Sequence, residues 1–247
     1  MSGHSKWSTI KRKKAANDAK RSKLFTKLLK EIQVAVKEGG SDPNSNPRLR
    51  LAIQNAKGAN VPKENILRAI NKANDEAKNF QSVTYEGYAP GGVGLIIDCL
   101  TDNTNRTVGN IRAILNKKGG SLTTKGSLSF LFERKGVFTI PLNKIDNKEE
   151  FELTMIDIGV DEIDEQDDVL ILTTKLENFG KINKKLEELK IEPENAEIRA
   201  IPNEYKTLDL ELSQKIIKLI EELEELDDVQ NVWHNLYITE ELSKIVS

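Results

Sequence analysis

Lysines recur at seven-residue intervals near the beginning of the chain, at Lys6, Lys13, Lys20 and Lys27. A straight α-helix drifts by only about 20° over seven residues, so these side chains share one face if a single helix carries them. Residues 1–30 contain ten basic residues and one acidic residue, Asp18. A face of this kind is suited to binding the phosphates of a polyanion, with release of counterions and a strong dependence on salt.

A charged helix face is also a common solvated surface that binds nothing, but the scarcity of acidic residues here favours nucleic-acid binding. The predominance of lysine favours contact with backbone phosphates over the reading of base edges. Trp7 either stacks on an unpaired base or packs onto the helices, and its spacing leaves both open. The predicted nucleic-acid-binding residues are His4, Lys6, Trp7, Lys11, Arg12, Lys13, Lys14, Lys20, Arg21, Lys23 and Lys27.

Charge is divided unevenly along the 247 residues. Residues 1–80 hold 18 Lys+Arg against 7 Asp+Glu, a net charge of +11, whereas the remaining residues hold 19 against 32, a net charge of −13. The acidic part repels the polyanion that the basic part attracts, which makes the N-terminal part the predicted contact surface. The single cysteine, Cys99, excludes an internal disulfide framework and suits a reducing compartment.

The composition is typical of a globular protein, with 38% hydrophobic and 31% charged residues. No apolar run approaches the roughly 18 residues of a membrane span, so we expect no membrane partner. The basic N-terminus lacks the arginine and serine richness of an organelle-targeting leader. These features predict a cytoplasmic location, and the sequence leaves the oligomeric state open.

The first 80 residues are predicted to form a small helical bundle that carries the basic face. Apolar residues recur at helical spacing from Leu24 to Val36, and Gly39 and Gly40 supply the end of that helix. Pro47 stands in the first turn of a second helix, and Pro62 opens a third.

The rest of the chain is predicted to alternate strands and helices. Residues 95–100, 105–117 and 128–132 read as strand, helix and strand, and residues 210–226 and 232–238 read as helix and strand. Between them lies the order strand, helix, strand, strand, helix, strand, which is that of a ferredoxin-like unit. The predicted elements of this unit are 137–140, 148–158, 160–164, 169–174, 179–189 and 196–201.

This order predicts an α+β multidomain protein with an N-terminal helical bundle and two α/β domains, one ferredoxin-like and inserted in the other. The predicted domains are a basic helical nucleic-acid-binding domain (1–80), a discontinuous α/β domain (81–135 plus 206–247) and an inserted ferredoxin-like domain (136–205). The inserted position follows because strands and helices of one α/β pattern stand on both sides of the ferredoxin-like unit.

A weaker candidate for phosphate contact is Arg106, at the beginning of a predicted helix. Helix N-termini carry partial positive charge and free N–H groups, which favour anions. The competing interpretation is helix capping by Asn103, Thr104 or Asn105, the ordinary role of such residues at helix starts.

The other residues with reactive side chains do not form a recognisable catalytic or metal site. Gly91, Gly92 and Gly94 precede a strand, which indicates a turn and not a nucleotide loop. His4 and His234 are far apart in sequence, and Cys99 stands in an apolar strand, where it is interpreted as core. The acidic pairs at 167–168 and 227–228 are interpreted as solvated turns. We therefore predict no catalytic residues, no metal, no cofactor and no enzymatic activity.

Several segments spread along the chain form an ordered set of motifs. They are 3–7 (GHSKW), 10–16 (IKRKKAA), 18–21 (DAKR), 25–28 (FTKL), 46–50 (NPRLR), 60–63 (NVPK), 85–88 (YEGY), 90–92 (PGG), 100–103 (LTDN), 105–107 (NRT), 132–136 (FERKG) and 226–232 (LDDVQNV). This set closely resembles the YebC/PmpR family over nearly the whole chain.

The resemblance implies a three-domain protein, one domain helical and two α/β, that acts as a probable transcriptional regulator binding DNA. Other members of the family, including the mitochondrial translational activator of cytochrome c oxidase subunit I, act in translation. Bacterial relatives are implicated in helping stalled ribosomes. The resemblance therefore implies a DNA-binding regulator as the first interpretation and a ribosome-associated factor contacting ribosomal RNA as the second.

Overall fold

The computed structural model describes Ile10, residues 18–75 and residues 80–246. These residues divide into two compact units. The first unit contains residues 18–75 and 134–199, and the second contains Ile10 with residues 80–133 and 200–246. Two four-stranded antiparallel sheets organise the chain after the N-terminal helices.

The N-terminal part of the first unit is a bundle of the helices α1 (Asp18–Gly39), α2 (Pro47–Gly58) and α3 (Lys63–Asp75). Gly40 follows α1 with a φ of 87°, a conformation that glycine adopts without strain, and Pro47 begins α2, both as predicted. The buried core is composed of small and aliphatic side chains: Ile32, Ala35, Val36, Leu49, Ala52, Ala56, Val61, Ile66, Ala69 and Ala73.

The second part of the first unit has the predicted ferredoxin-like order. Its elements are β4 (Phe132–Pro141), α5 (Lys148–Asp157), β5 (Val160–Gln166), β6 (Val169–Lys175), α6 (Phe179–Glu188) and β7 (Asn195–Pro202). The sheet runs β5-β6-β4-β7, so β7 is an edge strand. Both helices pack on this sheet through Phe151, Met155, Ile182 and Leu186.

The second unit is built on the sheet β3-β1-β2-β8, with β1 (Gln81–Ala89), β2 (Val93–Thr101), β3 (Ser121–Thr123) and β8 (Val229–His234). The helices α4 (Thr104–Lys117), α7 (Leu210–Glu224) and α8 (Glu240–Val246) complete it. Ile111, Leu115, Ile216 and Ile220 from α4 and α7 share a buried core with Leu95 and Ile97 of β2. Ile10 joins this core with only 3% of its surface exposed.

The chain leaves this sheet after β3, forms the ferredoxin-like sheet and then returns to add α7 and β8. The predicted fold class is thereby confirmed: helices come first, and one α/β part is inserted in another. The described elements also include a short final helix, α8, that sequence patterning missed. The last strand lies at 229–234, earlier than the predicted 232–238.

The predicted strand over residues 128–132 is wrong up to its last residue. Residues 125–131 form successive turns, and β4 begins only at Phe132. Leu128 and Leu131 are both buried, and the Leu131 N–H donates to the Leu128 carbonyl at 2.9 Å. The apolar spacing that resembled a strand therefore belongs to a folded loop that inserts two leucines into the core.

Candidate nucleic-acid interface

The face of α1 opposite the bundle core carries a row of lysines. At about 100° per residue, positions 20, 23, 27 and 30 lie within about 80° of one another around the helix axis. Ile32, which is fully buried, lies on the other side. Lys23, Lys27 and Lys30 are each partly exposed. The predicted shared face for Lys20 and Lys27 is therefore present in the backbone of α1.

Arg21 lies about 100° around the helix axis from Lys20, outside this row, and is exposed. Its guanidinium carbon lies 5.4 Å from the centroid of the Phe25 ring, one turn further along α1. A guanidinium over a ring face gains a cation–π interaction and keeps its N–H groups at the ring's edge. The ring therefore limits the positions that the guanidinium samples while leaving its donors available for a phosphate.

Five more exposed cations on the bundle were not singled out by sequence reasoning. They are Lys37 at the end of α1, Lys57 at the end of α2, and Lys63, Arg68 and Lys72 on α3. Residues 18–75 contain 12 Lys+Arg and 6 Asp+Glu, a net charge of +6. The signal that identifies the α3 cations is helical phase, because Ile66, Ala69 and Ala73 take the buried face and leave the charges outside.

Two arginines of α2 are engaged with carboxylates. Arg48 donates to Glu31 at 2.7 Å and also pairs with Glu38, and Arg50 lies 3.3 Å from Glu187 of α6. Partial burial lowers the pKa of Arg48, but Glu31 and Glu38 outweigh that effect and raise it overall. These arginines therefore stabilise the bundle and its contact with α6.

Most of the remaining predicted binding residues, namely His4, Lys6, Trp7, Lys11, Arg12, Lys13 and Lys14, lie outside the described residues. Lys20 belongs to α1, although its side chain is not among the described ones. Of the predicted set, the structure places Arg21, Lys23 and Lys27 together on α1. The contribution of the others stays a prediction.

Arg106, the weaker candidate, forms ion pairs within the second unit. Its Nη2 lies 2.7 Å from Asp102 and 2.8 Å from Asp228, and these hydrogen bonds raise the pKa of the guanidinium. Asn103 caps α4 by accepting from the Arg106 backbone N–H at 3.0 Å, which confirms the capping interpretation. Any phosphate at this helix start would compete with two carboxylates.

The interpretation of Asp228 as a solvated turn residue is wrong. Only 9% of Asp228 is exposed, and its carboxylate accepts hydrogen bonds from Thr107 at 2.9 Å and from Arg106. The Thr107 hydroxyl also contacts Thr101 at 2.8 Å. Asp228 is therefore a structural carboxylate that ties the segment before β8 to the start of α4.

The other residues that the sequence analysis rejected as catalytic or nucleotide-binding lie in a turn or in the buried core. Gly91 and Gly92, each with a φ of 72°, form a turn before β2, and Cys99 is buried in β2. Among the residues that the structure describes, no group of three or more His, Cys, Asp and Glu side chains is arranged to hold a metal ion. Within the same residues, no helix has the length and apolar character needed to cross a membrane.

These features define a class of α+β protein in which a basic helical bundle precedes two α/β parts, one inserted in the other. Residues 5–76 match the family model described as the TACO1/YebC protein N-terminal domain, and residues 80–236 match the TACO1/YebC second and third domain. The chain belongs to the TACO1/YebC family, as the motif resemblance predicted.

Relatives of similar length occur in several bacteria. A probable transcriptional regulatory protein of Amoebophilus asiaticus is 51% identical, with 96% of this chain and 98% of that protein covered. One from Chlorobaculum tepidum is 46% identical, with 100% and 99% covered. The crystal structure of a conserved hypothetical protein from Aquifex aeolicus superposes with a TM-score of 0.78 at 44% identity, covering 89% of this chain and 91% of that one.

Proposed function

We propose that this protein is a non-enzymatic regulator of gene expression that binds nucleic acid through its basic helical bundle. The observation that carries the proposal is the segregation of charge within one compact unit. Residues 18–75 have a net charge of +6, whereas residues 134–199 of the same unit hold 10 basic and 17 acidic residues, a net charge of −7. A polyanion is attracted to the bundle and repelled by the ferredoxin-like part, which restricts both where and how it docks.

The lysine row of α1 is the proposed centre of the contact. Lysine ammonium groups neutralise phosphates as point charges and carry no sequence information, so this surface supplies affinity and register. Arg21 adds a guanidinium over Phe25, and Lys63, Arg68 and Lys72 on α3 extend the positive surface. The predicted N-terminal residues, from His4 to Lys14, add further cations to the contact in this proposal.

The first candidate is a DNA-binding transcriptional regulator acting in the cytoplasm. The names of the relatives from Amoebophilus asiaticus and Chlorobaculum tepidum support this candidate. We also retain the proposed division into domains 1–80, 81–135 plus 206–247, and 136–205. In this arrangement the two α/β domains position the bundle and recruit protein partners.

The experiment that tests this function is crosslinking in living cells followed by sequencing of the bound DNA and RNA, with sedimentation of the same extract. Recovery of discrete promoter sites supports the transcriptional candidate. Crosslinks into ribosomal RNA, with cofractionation on ribosomes, contradict that candidate and support a ribosome-associated factor. Recovery of neither DNA nor RNA above a sample from cells lacking the protein contradicts nucleic-acid binding altogether.

A further inference from the structure

An aromatic ring stands in solvent on the loop that joins β3 to β4. We call residues 124–131 the Phe130 loop. Phe130 is 72% exposed, the largest exposed fraction among the exposed large apolar side chains of the described residues. A ring of this size in water carries an unfavourable hydration free energy that burial against a ligand would remove.

The loop beneath this ring is held by a buried carboxylate. Glu86 is only 8% exposed and accepts hydrogen bonds from the backbone N–H groups of Gly126 and Leu128, each at 2.7 Å. Hydrogen bonds to an ionised acceptor are stronger than those between neutral groups. Glu86 thus fixes the loop from below, which explains a charged side chain directed inward from β1.

Hydrogen bonds from Asn203 also fix the backbone at Phe130 and at the residue that follows it. Asn203 donates its side-chain amide to the Phe130 carbonyl at 3.2 Å and its backbone N–H to the Leu131 carbonyl at 2.8 Å. Leu128 and Leu131 insert into a core cluster with Ile96 and Trp233. The exposed ring is therefore preorganised, and a ligand that covers it pays little entropy to order the loop.

The surroundings of Phe130 favour a flat ligand over a protein surface. In the described part of the second unit, Ile245 is the one other exposed large apolar side chain, with 51% of its surface exposed. A stable protein interface buries on the order of 1,200 Å² or more around its anchors, which calls for a continuous apolar patch. A single ring flanked by the exposed polar residues Lys125 and Ser129 lacks such a patch.

The segment that carries the Phe130 loop is the less acidic part of the second unit. Residues 80–133 hold 5 Lys+Arg and 4 Asp+Glu, a net charge of +1, whereas residues 200–246 hold 4 Lys+Arg and 11 Asp+Glu, a net charge of −7. One of those four carboxylates, Glu86, is turned inward to hold the loop. Arg112 and Lys117 on α4 are exposed cations of the same segment.

We propose that Phe130 is a stacking platform for an unpaired base of the nucleic acid that the protein binds. The inference rests on the proposed function and adds a second contact to it. This contact distinguishes unpaired from paired bases but does not distinguish one base sequence from another. Every base has a π-face, so an exposed aromatic ring binds single strands with little sequence preference. Inside a duplex the bases are paired and stacked on one another, so they do not offer a free face to such a ring.

The test measures binding of fluorescently labelled oligonucleotides by the full chain. The probes are a single-stranded RNA, a single-stranded DNA of matching sequence, and a duplex of the same length. Phe130→Ala is expected to weaken single-strand binding by about tenfold, since stacking on one base contributes about 1–3 kcal/mol. Duplex binding and the salt dependence of both are expected to stay as in the parent protein, because no charge is removed.

Further variants separate stacking from general apolar contact and from misfolding. Phe130→Tyr is expected to retain parent affinity, while Phe130→Leu, which keeps apolar area but has no ring, is expected to lose affinity as Phe130→Ala does. Ile245→Ala removes the other exposed apolar side chain of this unit and is expected to leave binding unchanged. Urea unfolding of Phe130→Ala is expected to match the parent, because the ring is largely in solvent.

Three results overturn the inference, and they differ in whether they also reject the proposed function. Parent-like affinity of Phe130→Ala for single strands overturns the stacking platform and leaves the proposed function standing. Equal losses on single strands and duplex also overturn it, because an unpaired base is then not what the ring contacts. A parent protein that binds none of the three probes rejects both the platform and the proposed function.

Discussion

The side chain of Asn55 pairs with the backbone of Ala196 as a neighbouring strand would. Its Nδ2 donates to the Ala196 carbonyl at 2.8 Å, and the Ala196 N–H donates to its Oδ1 at 2.9 Å. Ala196 belongs to β7, an edge strand whose backbone groups need partners. One amide of α2 therefore completes the sheet edge and fixes the basic bundle to the acidic ferredoxin-like part.

Asn55→Ala is expected to destabilise the first unit by about 1–3 kcal/mol, because it leaves a buried N–H and carbonyl of Ala196 without these partners. Urea unfolding followed by circular dichroism measures the change. Asn71→Ala, an exposed asparagine on α3, is the control and is expected to change stability by less than about 0.5 kcal/mol. Equal effects of the two substitutions would contradict the role given to Asn55.

Gly58 at the end of α2 lets the backbone of α2 approach the segment just before β7, close to the Ala196 backbone that Asn55 binds. A matched pair of glycine substitutions tests this role of Gly58. A Cβ at Gly58 would clash with the carbonyl oxygen of Glu194, so Gly58→Ala is expected to cost about 1–3 kcal/mol. A Cβ at Gly109 in α4 meets no atom within 4 Å, and alanine favours helix there. Gly109→Ala is expected to be neutral or stabilising, and thermal unfolding of both variants reports the contrast.

Asp227 and Asp228, which precede β8, are expected to affect stability differently when each is replaced by asparagine. Asp228→Asn weakens charge-assisted hydrogen bonds from Arg106 and Thr107 and is expected to cost about 1–3 kcal/mol. Asp227 is exposed, so Asp227→Asn is expected to stay within about 0.5 kcal/mol of the parent. Comparable unfolding midpoints for the two variants would show that Asp228 is not a structural carboxylate.

Tyr85 is expected to make stability fall in alkaline solution. Burial raises the pKa of its phenol, with further upward contributions from Cys99 and Asp228, and its hydroxyl donates to the Thr104 carbonyl. A raised folded-state pKa gives stability that is fully present below the unfolded pKa of about 10 and is lost as the pH rises through the folded pKa.

The measurement compares the parent with Tyr85→Phe in urea between about pH 9 and about pH 11. The parent is expected to lose stability more steeply over this interval, because the phenylalanine variant has no phenol to ionise at this position. Parallel pH profiles for the two proteins would mean that Tyr85 ionises with the same pKa in the folded and unfolded chains.

Periodicity predicted the elements whose residues have a single apolar face. Gly39, Gly40 and Pro47 delimit α1 and α2 as expected, and the ferredoxin-like order is confirmed strand by strand. Asn46 was harder to interpret, because its amide caps α2 and also donates to the carbonyls of Ala35 and Gly40. Such a side chain is recognisable as a cap from sequence, but its second set of partners depends on packing.

The failures have a common physical origin around the Phe130 loop. β1 was not predicted as a strand. Its Glu86 is buried because it accepts two hydrogen bonds from a loop about 40 residues away. The loop was mistaken for a strand because Leu128 and Leu131 are apolar for packing reasons. Tertiary hydrogen bonds of this kind leave no periodic signal in the sequence.

The most direct test of the central claim is the salt dependence of nucleic-acid binding by two matched variants. One replaces Lys20, Lys23, Lys27 and Lys30 of α1 with glutamine, and the other replaces four of the seven lysines of the ferredoxin-like part with glutamine, at positions 181, 184, 185 and 190. Each lysine that contacts a phosphate contributes about one unit to the slope of log K against log salt concentration.

The α1 variant is expected to bind more weakly and with a slope shallower by about three units, while the control variant keeps the parent slope. Both variants lose the same formal charge, so a difference between them reports where the polyanion docks. Equal slopes for the parent and the α1 variant would contradict docking of phosphates on the basic bundle.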